Sequence, residues 1–121
     1  MKAEELIVEI KEYVKSIDRT KVYYTLRKLG HRRISDAQIE AVCIFIALRH
    51  FGIEIIGTNL FKTFYDKTRT AIHSILHLLG DRGVITLVHG KKNSQLRYVL
   101  NPKFTEQYRE QKDLNTSSGN N

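Results

Sequence analysis

Apolar residues recur at helical spacing in the first part of the chain. Residues 3–17 carry one apolar stripe with a 3.6-residue period, which predicts an amphipathic helix. The stripe consists of Leu6, Ile10, Tyr13 and Ile17. A second helix is predicted from a cap at Asp18 or Thr20 to an end at Gly30, because these residue types favour helix starts and helix stops respectively. Together the two segments predict an N-terminal helical hairpin.

The next segment carries the clearest helix signal in the sequence. Ser35 and Gln38 have the spacing of a capping box, so a third helix is predicted to begin at Asp36 and to end at Gly52. Between residues 39 and 51 this helix is apolar on nearly every side. Such a pattern is typical of a helix that is surrounded by other elements, and we expect it to be the central, most buried one.

Shorter elements are predicted after Gly52. Residues 53–56 form a β-prone run, and Thr58 is a candidate cap for a brief helix that ends at Phe64. Thr68 is then expected to cap a further helix, which should close between Gly80 and Gly83. The aliphatic residues that recur at helical spacing in this helix are Ile72, Ile75, Leu76 and Leu79.

The C-terminal part predicts a hairpin. Residues 84–88 and 96–100 are β-type runs joined by a segment with a basic tip, and Val84, Leu87, Leu96 and Leu100 are expected to hold the two strands in place. Pro102 ends the hairpin, residues 103–112 are compatible with a short polar helix, and residues 114–121 have the composition of a disordered tail.

Composition and charge narrow the possible functions. The 121 residues suit one domain, and 20 Lys and Arg against 13 Asp and Glu give a net charge of +7. Residues 19–33 and 82–103 are both rich in Lys and Arg and contain no acid, as expected of a nucleic-acid-binding surface. Cys43 is the only cysteine, which favours a reducing, cytoplasmic location, and neither a signal peptide nor a membrane span is expected.

Residues 68–85 resemble the recognition helix and the start of the wing in winged helix-turn-helix transcription regulators. The shared pattern runs from the capping Thr68 through spaced aliphatic residues to Gly83 and a strand. The resemblance implies that Ile72, Leu76 and Leu79 face the core and that Gly83 turns the chain into the wing. Together with the order of the predicted elements over residues 35–100, which is that of a winged helix-turn-helix domain, the resemblance covers a little over half the chain and supports the superfamily without assigning a particular family.

These observations define the expected fold class and domain organisation. We expect a mainly α protein with a small β-hairpin, in which a winged helix-turn-helix domain is preceded by an N-terminal helical hairpin. The hairpin should occupy residues 1–33 and is a possible dimerisation element. The DNA-binding domain should occupy residues 34–101, and a short polar helix with a disordered tail should occupy residues 102–121.

A candidate DNA-binding surface follows from the predicted orientation of the 68–80 helix. If its aliphatic side faces the core, the opposite side presents hydrogen-bond donors and no acid. Such a helix fits the major groove, its N-terminal amides favour a phosphate, and a basic hairpin tip can contact the backbone. The expected DNA-contacting residues are Lys67, Thr68, Arg69, Thr70, His73, Ser74, His77, Lys91, Lys92 and Arg97.

Several of these residues have a simpler alternative role. Arg69 and the two hairpin lysines, Lys91 and Lys92, could be ordinary solvated side chains, and the basic run at residues 19–33 could be a solvated helix face instead of a DNA contact. The tyrosines are expected in the core or in interfaces, because the paired-strand context of RNA-binding sheets is absent from the sequence pattern.

Catalysis and metal binding are not expected. His73 and His77 have the i, i+4 spacing of a metal-binding pair, but the glutamate of the H-E-x-x-H motif is missing and no Cys/His cluster completes a site. Cys43 lies in the middle of a predicted buried helix, where a thiol acts as a small apolar group. We therefore expect a protein that is not an enzyme and has no cofactor, metal or small-molecule substrate.

The sequence thus favours sequence-specific binding of double-stranded DNA by a cytoplasmic, nucleoid-associated transcriptional regulator that represses by occlusion. A homodimer is expected, because the apolar stripe of the first helix exceeds what a winged domain needs to cover itself. Two alternatives stay open: a protein-interaction adaptor built on a winged helix, and a DNA-organising or partition factor.

Overall fold

The structure is a computed structural model that describes residues 2–89 and 96–111. Within these residues the chain forms six helices and three strands. In chain order they are α1 (Ala3–Ser16), α2 (Arg19–Lys28), α3 (Asp36–His50), β1 (Ile56–Gly57), α4 (Thr58–Phe64), α5 (Arg69–Asp81), β2 (Ile85–His89), β3 (Arg97–Leu100) and α6 (Pro102–Glu110).

Helix α3 is the centre of the fold, as its sequence predicts. It packs against α1, α2, α4, α5 and β3, and every residue from 38 to 48 except Glu40 is buried. The predicted capping box is present: the Ser35 hydroxyl accepts a hydrogen bond from the Gln38 amide, and the Gln38 side chain accepts one from the Ser35 amide. Two unpaired amides at the helix start are thereby satisfied, which fixes where α3 begins.

The two N-terminal helices pack on this central helix. In α1 the apolar stripe turns inward, with Ile10 and the following Ile17 buried, and the helix packs against α3. Asp18 caps α2 by accepting hydrogen bonds from the Thr20 and Lys21 amides, and α2 packs against both α3 and α6. The apolar stripe from which a homodimer is predicted thus packs against α3 of the same chain.

The β-prone run after α3 differs from its prediction. Residues 53–55 are not a strand, because the Ile53 amide donates a 2.8 Å hydrogen bond to the Leu48 carbonyl and so belongs to the end of α3. The strand β1 is shorter and later. Helix α4 follows it directly, so its N-cap is Gly57 and not Thr58.

The three strands form one antiparallel sheet in the order β1, β3, β2. Strand β1 therefore adds a third strand to the predicted hairpin, and its Ile56 pairs with Tyr98 of β3. The pairing of β2 with β3 shifts register between Leu87 and His89, as at a β-bulge. Val84 and Leu100 are buried as expected, but Leu87 is 50% exposed, so it does not help to hold the hairpin against the core.

The fold is thus mainly helical with a small antiparallel sheet, in the order expected of a helical domain with a wing. Helix α6 closes the described part of the chain: Asn101 caps it, and Phe104 is fully buried in the core. None of the helices within residues 2–89 and 96–111 is long and apolar enough to cross a membrane.

Candidate nucleic-acid interface

Helix α5 is held rigidly at both ends and along one side. The Thr68 hydroxyl accepts a 3.2 Å hydrogen bond from the Ala71 amide, as predicted for its cap. At the other end Gly83 adopts a φ of 75°, a conformation that favours glycine, and turns the chain towards β2. The predicted aliphatic residues face inward, and the buried set is Ile72, Ile75, Leu76 and Leu79.

Within residues 2–89 and 96–111, the opposite side of α5 is exposed. All seven expected contact residues in and just before this helix are exposed: Lys67, Thr68, Arg69, Thr70, His73, Ser74 and His77. We call this set the α5 face. Because the inward side packs against α3, α4 and β2, the helix projects these side chains from a fixed support. A rigid element of this kind positions side chains more precisely than a loop does.

One acid modifies the α5 face at its C-terminal end. The sequence predicts a face without acids, but α5 continues through Gly80 to Asp81, four residues after His77. The two side chains are 81% and 67% exposed, and His77 Nε2 lies 3.2 Å from Asp81 Oδ2. The expectation of an acid-free face is therefore wrong in the last turn. A polyanion would be accepted more readily by the N-terminal half, around Arg69, Thr70 and His73.

If the α5 face binds DNA, removing this acid should strengthen that binding. We expect Asp81→Asn to bind duplex DNA about two- to ten-fold more tightly, because a unit negative charge several ångströms from a phosphate costs about 0.5–1.4 kcal/mol at the dielectric of a protein surface. Fluorescence anisotropy at constant salt measures the change, and Glu4→Gln, on the exposed side of α1, removes the same charge elsewhere. Equal affinity for Asp81→Asn and Glu4→Gln would exclude the last turn of α5 from the interface.

The hairpin residues are only partly placed by the structure. Lys91 and Lys92 lie outside the described residues, so their contact with DNA stays a prediction. Arg97 lies on β3, the middle strand of the sheet. It alternates with the buried Tyr98 and Leu100, so its side chain lies on the sheet face that is turned away from the core.

The basic run at residues 19–33 divides into two groups. Arg19 forms a salt bridge with Glu40, and the Lys21 ammonium lies 4.2 Å from the centre of the Tyr108 ring. These two cations stabilise contacts of α2 within the fold. The remaining arginines and lysine of the run are exposed, and the ion pairs within the described residues involve none of them; they are Arg27, Lys28, Arg32 and Arg33.

Cys43 and the pair His73 and His77 are the residues that the sequence analysis weighed for chemistry. Cys43 is fully buried in α3, and burial raises the pKa of its thiol to about 11, so the nucleophilic thiolate is disfavoured. No group of three or more His, Cys, Asp or Glu side chains that could hold a metal occurs among the residues the structure describes. His73 and His77 thus remain an exposed pair on a helix.

Comparison with known proteins adds no family to these observations. No protein-family model, no curated protein and no solved structure matches this chain.

Proposed function

We propose that this chain is a winged helix-turn-helix protein that binds double-stranded DNA sequence-specifically and regulates transcription, by occluding a promoter. In this proposal α4 and α5 are the helix-turn-helix, α5 lies in the major groove, and the hairpin of β2 and β3 is the wing. Such a role implies a cytoplasmic protein associated with the nucleoid.

The observation that carries the proposal is the α5 face. Its N-terminal half combines Arg69 with Thr70, His73 and Ser74, all exposed on a helix that the core fixes. An arginine can donate two hydrogen bonds to a guanine edge, and hydroxyl or imidazole groups can contact bases or phosphates. A capped helix N-terminus also presents amides that favour a phosphate. The net charge of +7 supports attraction to a polyanion.

Selection of genomic fragments tests this proposal. The purified full chain is mixed with fragmented genomic DNA, bound fragments are sequenced, and the recovered sites are footprinted. We expect a common sequence motif and protection of a short duplex segment, with affinity that falls steeply as salt increases. Recovery of fragments at random, or of none, would contradict sequence-specific binding.

The two hairpin lysines should contribute affinity without specificity. We expect Lys91→Ala combined with Lys92→Ala to weaken binding about equally for specific and unrelated DNA, because ammonium groups meet phosphates as point charges. The slope of log affinity against log salt should decrease by roughly 0.9 for each lost phosphate contact. Anisotropy titrations at several salt concentrations measure this slope. An unchanged slope would show that the hairpin is not a DNA-contacting wing.

A protein-interaction adaptor is the second candidate, and the edge strand β2 favours it. Leu87 and Val88 are 50% and 47% exposed on a strand whose other side has no partner within the described residues. Exposed aliphatic residues on a sheet edge are a common site of strand addition by another protein. A protein complex that tolerates high salt, together with no affinity for duplex DNA, would favour this role.

The homodimer remains a prediction that lacks its original support. It rests on the apolar stripe of α1, and the structure packs α1 against α3. On the outer side of α1, Val8 is 58% exposed among charged neighbours. A DNA-organising or partition role also remains open, since it would use the same α5 face.

A further inference from the structure

The exposed basic run meets the C-terminal end of α5 at Arg33. The guanidinium of Arg82, the C-cap of α5, donates a 2.7 Å hydrogen bond to the carbonyl oxygen of Arg33. This contact joins the segment between α2 and α3 to the recognition helix of the proposed function. We call the surface formed by Arg27, Lys28, Arg32, Arg33 and Arg82 the flank surface.

The local backbone explains why these cations project from this place. Gly30, two residues after the end of α2, has a φ of 98°, and the His31 amide then donates a 3.1 Å hydrogen bond to the Leu26 carbonyl. This Schellman-type ending turns the chain away from α2. Residues 31–35 then run without helical structure to the start of α3, with Arg32 and Arg33 exposed.

The electrostatic balance of the flank surface is positive. Helix α3 carries Asp36 and Glu40, and α5 carries Asp81. Glu40 pairs with Arg19, so the acids next to the flank surface along the chain are Asp36, three residues after Arg33, and Asp81, which pairs with His77 and precedes Arg82. Burial lowers the pKa of His31, and the positive charge of Arg82 lowers it further, as expected where cations are close together. The flank surface thus has more cations than the two nearby acids neutralise.

The length of α5 indicates where the flank surface would lie in a DNA complex. Its 13 residues make a helix of about 20 Å, whereas the major groove is about 12 Å wide. Where the axis of such a helix crosses the groove, its two ends come near the two phosphate backbones. At the N-terminal end, Lys67 and Arg69 are the cations that can contact the backbone. The C-terminal end has carbonyl oxygens and Asp81, which repel phosphate, so it needs extra cations to approach the backbone.

We propose that Arg32 and Arg33 contact the phosphate backbone of the strand across the groove from the one met by the N-terminal end of α5. This inference rests on the proposed function. In the DNA complex, Arg82 holds the segment in position through the Arg33 carbonyl, and Arg27 and Lys28 extend the positive surface along the same backbone. Bound DNA is thereby clamped at both ends of the recognition helix.

The test compares two double variants with the same charge change in the full chain. Arg32→Ala with Arg33→Ala removes the two contacts and keeps the backbone carbonyl that Arg82 uses. Arg49→Ala with Arg109→Ala removes two exposed arginines that line one cavity at the C-terminal end of α3, Arg49 on α3 and Arg109 on α6. The 15 residues of α3 place this end about 22 Å from the start of the helix, which follows Arg33. The probe is a duplex recovered by selection of genomic fragments.

We expect the flank variant to reduce the slope of log affinity against log salt by roughly 1.8, from two lost phosphate contacts, and the control to keep the wild-type slope. Hydroxyl-radical footprints should lose protection on one strand at one edge of the site, with the preferred sequence unchanged. Wild-type slope and footprint in the flank variant would overturn this inference and leave the proposed function standing. No binding of wild-type protein to duplex DNA would overturn both.

Discussion

Replacing Arg69 with alanine should weaken specific DNA binding about 5- to 150-fold, which corresponds to about 1–3 kcal/mol for a lost arginine contact to a base edge. The side chain is exposed in the first turn of α5, so the loss should come from the interface and not from the fold. Preference at one base position should relax as well. We expect His73→Ala to act in the same direction. Competition titrations with single-base variants of the site measure both effects.

An arginine outside the proposed interface is the control for this result. Arg49→Ala removes the same side chain from the exposed end of α3 and should change affinity little. Circular dichroism should show the same helix content for all three variants. Footprints that are unchanged in both Arg69→Ala and His73→Ala would show that α5 is not the recognition helix.

Replacing Phe61 with alanine should lower the free energy of unfolding by about 3–5 kcal/mol, the usual cost of removing a buried phenylalanine side chain. Phe61 is fully buried in α4, where its ring centre lies 5.5 Å from that of Phe45 and 5.0 Å from that of Tyr65. The cluster joins α3 to α4 and to the turn before α5. Urea denaturation measures the loss.

The predicted loss is large compared with the total stability of about 5–15 kcal/mol that domains have. Tyr24→Ala is a suitable control, because Tyr24 is 51% exposed and Tyr23 is the one aromatic ring that it pairs with among the described residues. We expect it to cost about 1 kcal/mol or less. A Phe61→Ala variant as stable as Tyr24→Ala would contradict the packing of α4 between α3 and α5.

The parts of the fold that the sequence predicts correctly depend on local signals. Ser35 and Gln38 define the start of α3 because a capping box involves only neighbouring residues. Thr68 and the spaced aliphatic residues define α5 in the same way. The sequence predicts a short β-prone run at residues 53–56, but not its pairing with the hairpin, because Ile56 pairs with the distant Tyr98 and such pairing has no local signature.

The candidate site likewise has features that local sequence signals predict and features that they do not. Helical periodicity alone predicts the exposed face of α5. Whether this face contains an acid depends on where the helix ends. Gly80 and Gly83 both favour a stop, and only the three-dimensional structure shows that Gly83 provides it and that Asp81 joins the face. The spacing between His77 and Asp81 was the available signal. The contact of Arg82 with Arg33 had none, because it links segments far apart in the chain.

In the proposed function, α5 enters the major groove of duplex DNA. Guanine methylation interference tests this most directly, since methylation at N7 blocks the major-groove edge of guanine without changing base pairing. We expect methylated guanines within the selected site to prevent binding of the wild-type chain, and Arg69→Ala to lose sensitivity at one of them. If N7 methylation reduced binding of the wild-type chain at no guanine of the site, α5 would not lie in the major groove.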